Sequence, residues 1–141
     1  MRLAWRLWWL GAALVLSGCP PNLDVRLYNN SGHPITVLAP DGTTCSSPAG
    51  SECTFSFFET FNVRSSGREY RYAMPSRLRY ETSPSYVERR WFRARVLRLQ
   101  FASDNAIDML PSKEAQSGAA AQLTGFPVRP DETSSVSKAK P

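Results

Sequence analysis

Apolar residues recur at every second position over most of residues 23–109, and no other feature of the chain limits its fold so tightly. Successive side chains of an extended strand point to opposite faces, so a period of two gives each segment one apolar and one polar side. Leu23, Val25 and Leu27 alternate with Asp24, Arg26 and Tyr28. Asn29-Asn30-Ser31-Gly32 follows as turn chemistry, and Ile35 and Val37 resume the alternation after Pro34, which reads as a hairpin. Pro40-Asp41-Gly42 turns the chain again. Cys53, Phe55 and Phe57 then face one way while Thr54, Ser56 and Phe58 face the other, and Phe61 and Val63 extend the apolar set. Ser65-Ser66-Gly67 marks a further turn before Tyr70, Tyr72 and Met74 share a face. A second hairpin is expected from Leu97, Leu99 and Phe101 through Ser103-Asp104-Asn105 to Ile107 and Met109. Short strands at these intervals, broken by Gly, Pro, Asn and Ser, predict an all-β fold, either a small antiparallel β-sandwich or a partly open barrel.

One stretch fits that pattern less well and leaves room for a short helix. Ser85-Tyr86-Val87-Glu88 has the form of a capping box, and Val87, Trp91 and Ala94 fit one helical face. Residues 83–95 are therefore read as a helix-like or irregular connection in preference to a strand. After Pro111 the composition shifts to Ser, Ala, Gln and Lys, so residues 112–141 are expected to be an extended, largely disordered tail. Phe126 and Val128 are the exceptions. Held extended by Pro127 and Pro130, they can dock on the β body as an extra edge segment.

The N-terminus follows a different rule. Met1, Arg2 and Arg6 form a positive region, Leu7 to Leu16 an apolar one, and Ser17 and Gly18 are two small residues before Cys19. The apolar run is too short to span about 30 Å of hydrocarbon at 1.5 Å per residue, and Pro20 and Pro21 stop any helix. Leu16-Ser17-Gly18-Cys19 resembles the lipobox of bacterial lipoproteins. That resemblance implies a signal peptide over residues 1–18, acylation of Cys19 as the first mature residue, and attachment to a membrane through its acyl chains. It also implies a destination, because inner-membrane retention goes with an aspartate after the lipidated cysteine and this chain has Pro20. The expected location is the outer membrane, on its periplasmic side. Residues 19–22 would be the tether and residues 23–111 the β domain.

Removing residues 1–18 leaves 123 of 141 residues, enough for one small domain. Arg2 and Arg6 depart, so 15 basic side chains remain against 12 acidic ones, a formal +3, and only Trp91 of the four tryptophans stays. With Cys19 acylated, Cys45 and Cys53 form an even pair in an oxidising compartment, and the short ring containing Pro48 and Gly50 lets their ends approach. They are expected to form a disulfide. Their spacing matches neither C-x-x-C nor a zinc pattern, so no metal and no cofactor is expected.

Binding chemistry concentrates between Arg64 and Arg98, where ten arginines meet only Glu69, Glu81 and Glu88. Tyrosines and Trp91 interleave with them, as a surface for phosphates or sugars would need for guanidinium forks and stacking. Arg71, Arg77, Arg79, Arg93, Arg95 and Trp91 are the candidate ligand-binding residues. The competing reading makes these arginines solvated strand faces whose charges discourage edge pairing. Catalytic constellations are not apparent in the sequence: His33 is the sole histidine, and no G-x-S-x-G elbow, short-spaced carboxylate pair or glycine-rich phosphate loop is present. The sequence thus favours a non-enzymatic accessory or assembly role in the cell envelope, contacting an envelope protein. Binding of anionic lipopolysaccharide or polysaccharide is the alternative, a hydrolase is the weaker third, and nucleic acid is not an expected partner.

Overall fold

In a computed structural model the described residues are 22–90, 94–112 and 124–131. They form nine strands: β1 (Leu23–Asn30), β2 (Ile35–Leu38), β3 (Thr44–Ser47), β4 (Glu52–Ser56), β5 (Thr60–Ser65), β6 (Arg68–Ala73), β7 (Val87–Arg89), β8 (Arg95–Ala102) and β9 (Ile107–Met109). A 3-10 helix, Ser76–Tyr80, lies between β6 and β7. The strands divide into two sheets. One runs β4-β1-β8-β7, with β9 also paired to β8, and the other runs β3-β2-β5-β6. The fold is an all-β sandwich, and neither sheet closes into a barrel.

The alternation read from the sequence sets which side of each strand is buried. Leu23, Val25 and Leu27 of β1 face the same core as Leu97, Leu99 and Phe101 of β8, and the second sheet contributes Ile35, Val37, Phe61, Val63 and Tyr72. Rings stitch the two layers together. Phe55 meets Phe61 edge-on at 5.2 Å, Phe61 stacks on Tyr72 at 5.8 Å, and Tyr72 meets Phe101 edge-on at 6.2 Å. The Tyr72 hydroxyl donates to the Asn105 carbonyl at 2.8 Å, so this buried phenol also ties β6 to the turn joining β8 and β9.

One turn follows directly from residue type. Ser66 (φ 51°) and Gly67 (φ 75°) are the two residues linking β5 to β6, and positive φ at both is what a two-residue hairpin of the twist-matching kind requires. The β8–β9 hairpin forms as expected, pairing Leu99 with Met109 and Phe101 with Ile107.

Three expectations need correction. Strands β1 and β2 are not a hairpin, because β1 pairs with β4 and β8 while β2 pairs with β3 and β5, in the opposite sheet. The segment after Asn30 crosses between layers, pinned by the fully buried Asn29: its amide donates to the carbonyls of His33 (2.7 Å) and Ser47 (2.9 Å), and its Oδ1 accepts from Ser31. The first sheet is not purely antiparallel, since β1 and β8 run parallel over their whole length from Leu23–Arg95 to Asn30–Ala102. Within residues 83–95 the described part is a turn followed by strand β7, whose Val87 is buried opposite Leu97; the helical element lies earlier, at Ser76–Tyr80.

Both seams of the sandwich are closed. On one side Cys45 of β3 and Cys53 of β4, edge strands of different sheets, form the expected disulfide with a Cα–Cα distance of 6.0 Å. On the other side Val128 bridges Ile107 through two main-chain hydrogen bonds, while the Asp131 amide donates to the Arg71 carbonyl of β6 at 2.9 Å. The segment holding Phe126 and Val128 therefore docks at the edge, as its apolar pair suggested.

Candidate functional site

The end of the sandwich where the chain enters is built around the 3-10 helix. Strand β6 stops at Ala73, Met74 donates to the Glu59 carbonyl at 2.7 Å, and Pro75 (φ −57°) redirects the chain into the helix. With about three residues per turn, only Leu78 points inward, and it is completely buried. Arg77, Arg79 and Tyr80 consequently point outward. Tyr80 is 77 % exposed and is the one large hydrophobic side chain among the described residues to stand clear of the surface.

Arg95 fixes this helix to the sheet. It opens β8 in register with Leu23 of β1, on the core-facing side, so its guanidinium must find acceptors. Nη2 donates to the Arg79 carbonyl and Nη1 to the Glu81 carbonyl, each at 2.7 Å. A basic side chain here satisfies carbonyls that the end of a helix leaves unpaired. Arg89, opposite Arg95 in the β7–β8 register, and Arg90 are exposed at the same end. Of the nearby carboxylates, Glu59 approaches Arg79 at 3.9 Å with both side chains about half exposed, a contact worth little, and Glu81 is occupied by the amides of Thr82 and Ser83. Gly125 passes beside the helix with φ 95°, and an added Cβ would come within 3.1 Å of Pro75 Cγ.

The five arginines predicted as a binding set thus part company. Arg77 and Arg79 share the chain-entry end with Arg89 and Arg90, which sequence reasoning counted in the basic window without selecting. Arg95 is at that end too, but two of its nitrogens are taken by main-chain carbonyls. Arg71 lies on the outer face of the β3-β2-β5-β6 sheet, opposite Asn62. Trp91 and Arg93, like Cys19, lie outside the described residues.

That outer face is polar. Thr36 and Ser46 hydroxyls lie 3.1 Å apart, and Glu69 accepts from Asn62 at 2.7 Å and from Arg64 at 3.0 Å. The hydrogen bond from Arg64, with that from Asn62, holds the Glu69 carboxyl below its ordinary range. Arg71 is different: its guanidinium is exposed and makes no ion pair or hydrogen bond among the described residues. Together with Leu38, Pro40, Thr60 and Asn62 it lines an open hollow of about 290 Å³. A second hollow, of about 310 Å³, sits at the disulfide seam between Asp24, Asp41, Thr44, Thr54 and Ser56. His33 is at the far end of the sandwich from both, held through its main chain by Asn29 and Ser31. Among the described residues no three of His, Cys, Asp and Glu converge to hold a metal ion, and no helix is long and apolar enough to cross a membrane.

Compared with family models, curated proteins and solved structures, the chain matches none of them.

Proposed function

We propose that this protein is a lipid-anchored module of the bacterial outer membrane, facing the periplasm, with a non-catalytic accessory or assembly role. The lipobox-like run ending at Cys19 supplies the anchor, and the cross-sheet Cys45–Cys53 disulfide supports an oxidising compartment. The single observation that carries an interaction role is Arg71. Its guanidinium stands exposed, with no ion pair or hydrogen bond among the described residues, in a hollow where a partner's carboxylate or carbonyl would find a guanidinium fork beside Asn62 and the apolar side chains of Leu38 and Pro40. The hollow lies toward the chain-entry end, beside Thr60 at the start of β5 and two residues before the end of β6.

Copurification after mild detergent extraction tests this reading. A protein partner should accompany the wild type and fall at least tenfold with Arg71→Ala, a substitution that exposed position will tolerate without loss of the fold. The exposed guanidinium also favours a second reading, an anionic glycolipid or polysaccharide as ligand. In that case no protein copurifies, and binding to lipopolysaccharide declines steeply with added salt.

A further inference from the structure

The chain-entry end carries a second surface, distinct from the Arg71 face. Asn22 accepts a hydrogen bond from the Arg95 amide, and Phe57 donates to Leu23, so the polypeptide leaves the sandwich toward its N-terminus beside the base of β8. Cys19 lies three residue steps before Asn22, a reach of at most about 11 Å when fully extended. An acylated Cys19 therefore confines this end to about one Debye length of the bilayer surface, roughly 8–10 Å at ordinary ionic strength. Exposed here are Arg77, Arg79, Arg89 and Arg90, and Tyr80 also stands clear of the surface. Opposing charge is sparse, because Glu59 faces Arg79 and Glu81 is hydrogen-bonded to its own loop. Asp24 and Asp41 also lie at this end, but across the sandwich at the disulfide seam.

We propose that the 3-10 helix and the end of β7 form a membrane footprint: Arg77, Arg79, Arg89 and Arg90 contact the phosphates of anionic phospholipids, and Tyr80 inserts at headgroup depth. An arginine fork suits a phosphate, and a tyrosine with a polar tip on an apolar body suits the water–lipid interface. Acyl chains combined with a basic patch form the two-signal arrangement that makes anchoring stable. The separation of charge tilts the molecule. The 3-10 helix side goes down and the Asp24–Asp41 seam rises into water. This inference rests on the anchored reading of Cys19.

Its test is the depth of two positions in the purified full-length processed protein, reconstituted in vesicles of 30 % phosphatidylglycerol in phosphatidylcholine carrying a headgroup nitroxide. A fluorophore is attached to Tyr80→Cys or, for comparison, to Ser103→Cys, which lies past the other end of β8, roughly 25 Å away at 3.3 Å per residue. Quenching at position 80 should exceed that at position 103 at least fivefold. It should fall at least twofold when Arg77 and Arg79 are both replaced by Gln, or in phosphatidylcholine alone, while staying above position 103 because the tether still holds this end near the bilayer; no change on replacing both arginines overturns the footprint. Neither arginine side chain holds the fold, since Leu78 packs the helix and Arg95 binds its carbonyls, so the double variant remains folded. Equal quenching at 80 and 103 in protein that floats with the vesicles overturns the footprint and leaves the anchor standing. A mass showing no acyl chains overturns the anchor. In that event salt-sensitive flotation dependent on Arg77 and Arg79 still supports the footprint, and absence of flotation ends both.

Discussion

Tyr72 sits where a polar atom needs a reason to be, fully buried between Phe61 and Phe101 with its hydroxyl on the Asn105 carbonyl. Burial, reinforced by the neighbouring Tyr70 and Asp104, pushes this phenol well above its ordinary value. Below about pH 10 the shift has no effect, because both folded and unfolded chains keep the proton. Above that value the unfolded chain ionises first, so the folded state loses stability as pH rises toward the folded value. Replacing Tyr72 by Phe should cost about 1 kcal/mol at neutral pH, the worth of one hydrogen bond, and should flatten the decline above pH 10. Urea unfolding of both proteins from pH 7 to 11 checks this; parallel curves throughout would show that the phenol is not shielded. Arg95 obeys the same rule with charge added. Its two main-chain acceptors explain why an arginine can open a strand on the core side, and why it reads as a candidate ligand residue in sequence yet acts as a brace.

Among the elements, β3 and β4 depend most on something other than packing. β3 is short and largely exposed, and each strand ends its own sheet. Cys45 and Cys53 close a nine-residue ring between them, for which chain entropy gives about 2.5 kcal/mol. A Cys45→Ser/Cys53→Ser variant should lose about that much in denaturant titration, with its earliest amide exchange in β3, whereas β1 and β8 retain protection. β1, β2, β4, β5, β6, β8 and β9 were legible because each carries a period of two, as was the turn at Ser66-Gly67, where glycine accepts a positive φ readily; β3, with the sequence Thr-Cys-Ser-Ser, shows no such alternation and was not. Sheet membership was not legible. Nothing local distinguishes a hairpin from a crossing between layers after Asn30, and the deciding contact, Asn29 with Ser47, spans eighteen residues. The parallel pairing of β1 with β8 is likewise a long-range matter. Val87 is apolar in either a helix or a strand, and its burial opposite Leu97 decides in favour of the strand. The basic window was legible as composition, but its division between a sheet face, a brace and one end of the molecule required the 3-10 turn, whose only inward residue is Leu78.

At the scale of the whole molecule, the sandwich has two seams closed by different means. The disulfide spans β3 and β4; the stretch around Val128 spans β9 and β6. Between these seams the first sheet is four strands wide, β4-β1-β8-β9, which at about 4.8 Å per strand separates them by roughly 14 Å. Perturbations that far apart with no shared partner add within about 0.5 kcal/mol. Val128 is 8 % exposed, and trimming it to Ala removes two buried methyl groups, worth about 1.5 kcal/mol. Combining Val128→Ala with the cysteine-to-serine pair should therefore cost about 4 kcal/mol in urea unfolding, the total of the separate losses. A combined loss short of that by more than 1 kcal/mol would mean that the layers loosen as one unit once either seam opens. Additivity would instead mean that the core of β1, β8, β2 and β5 holds the layers by itself. The seams would then serve to keep edges and ends in place, including the end at which the chain enters and the face that carries Arg71.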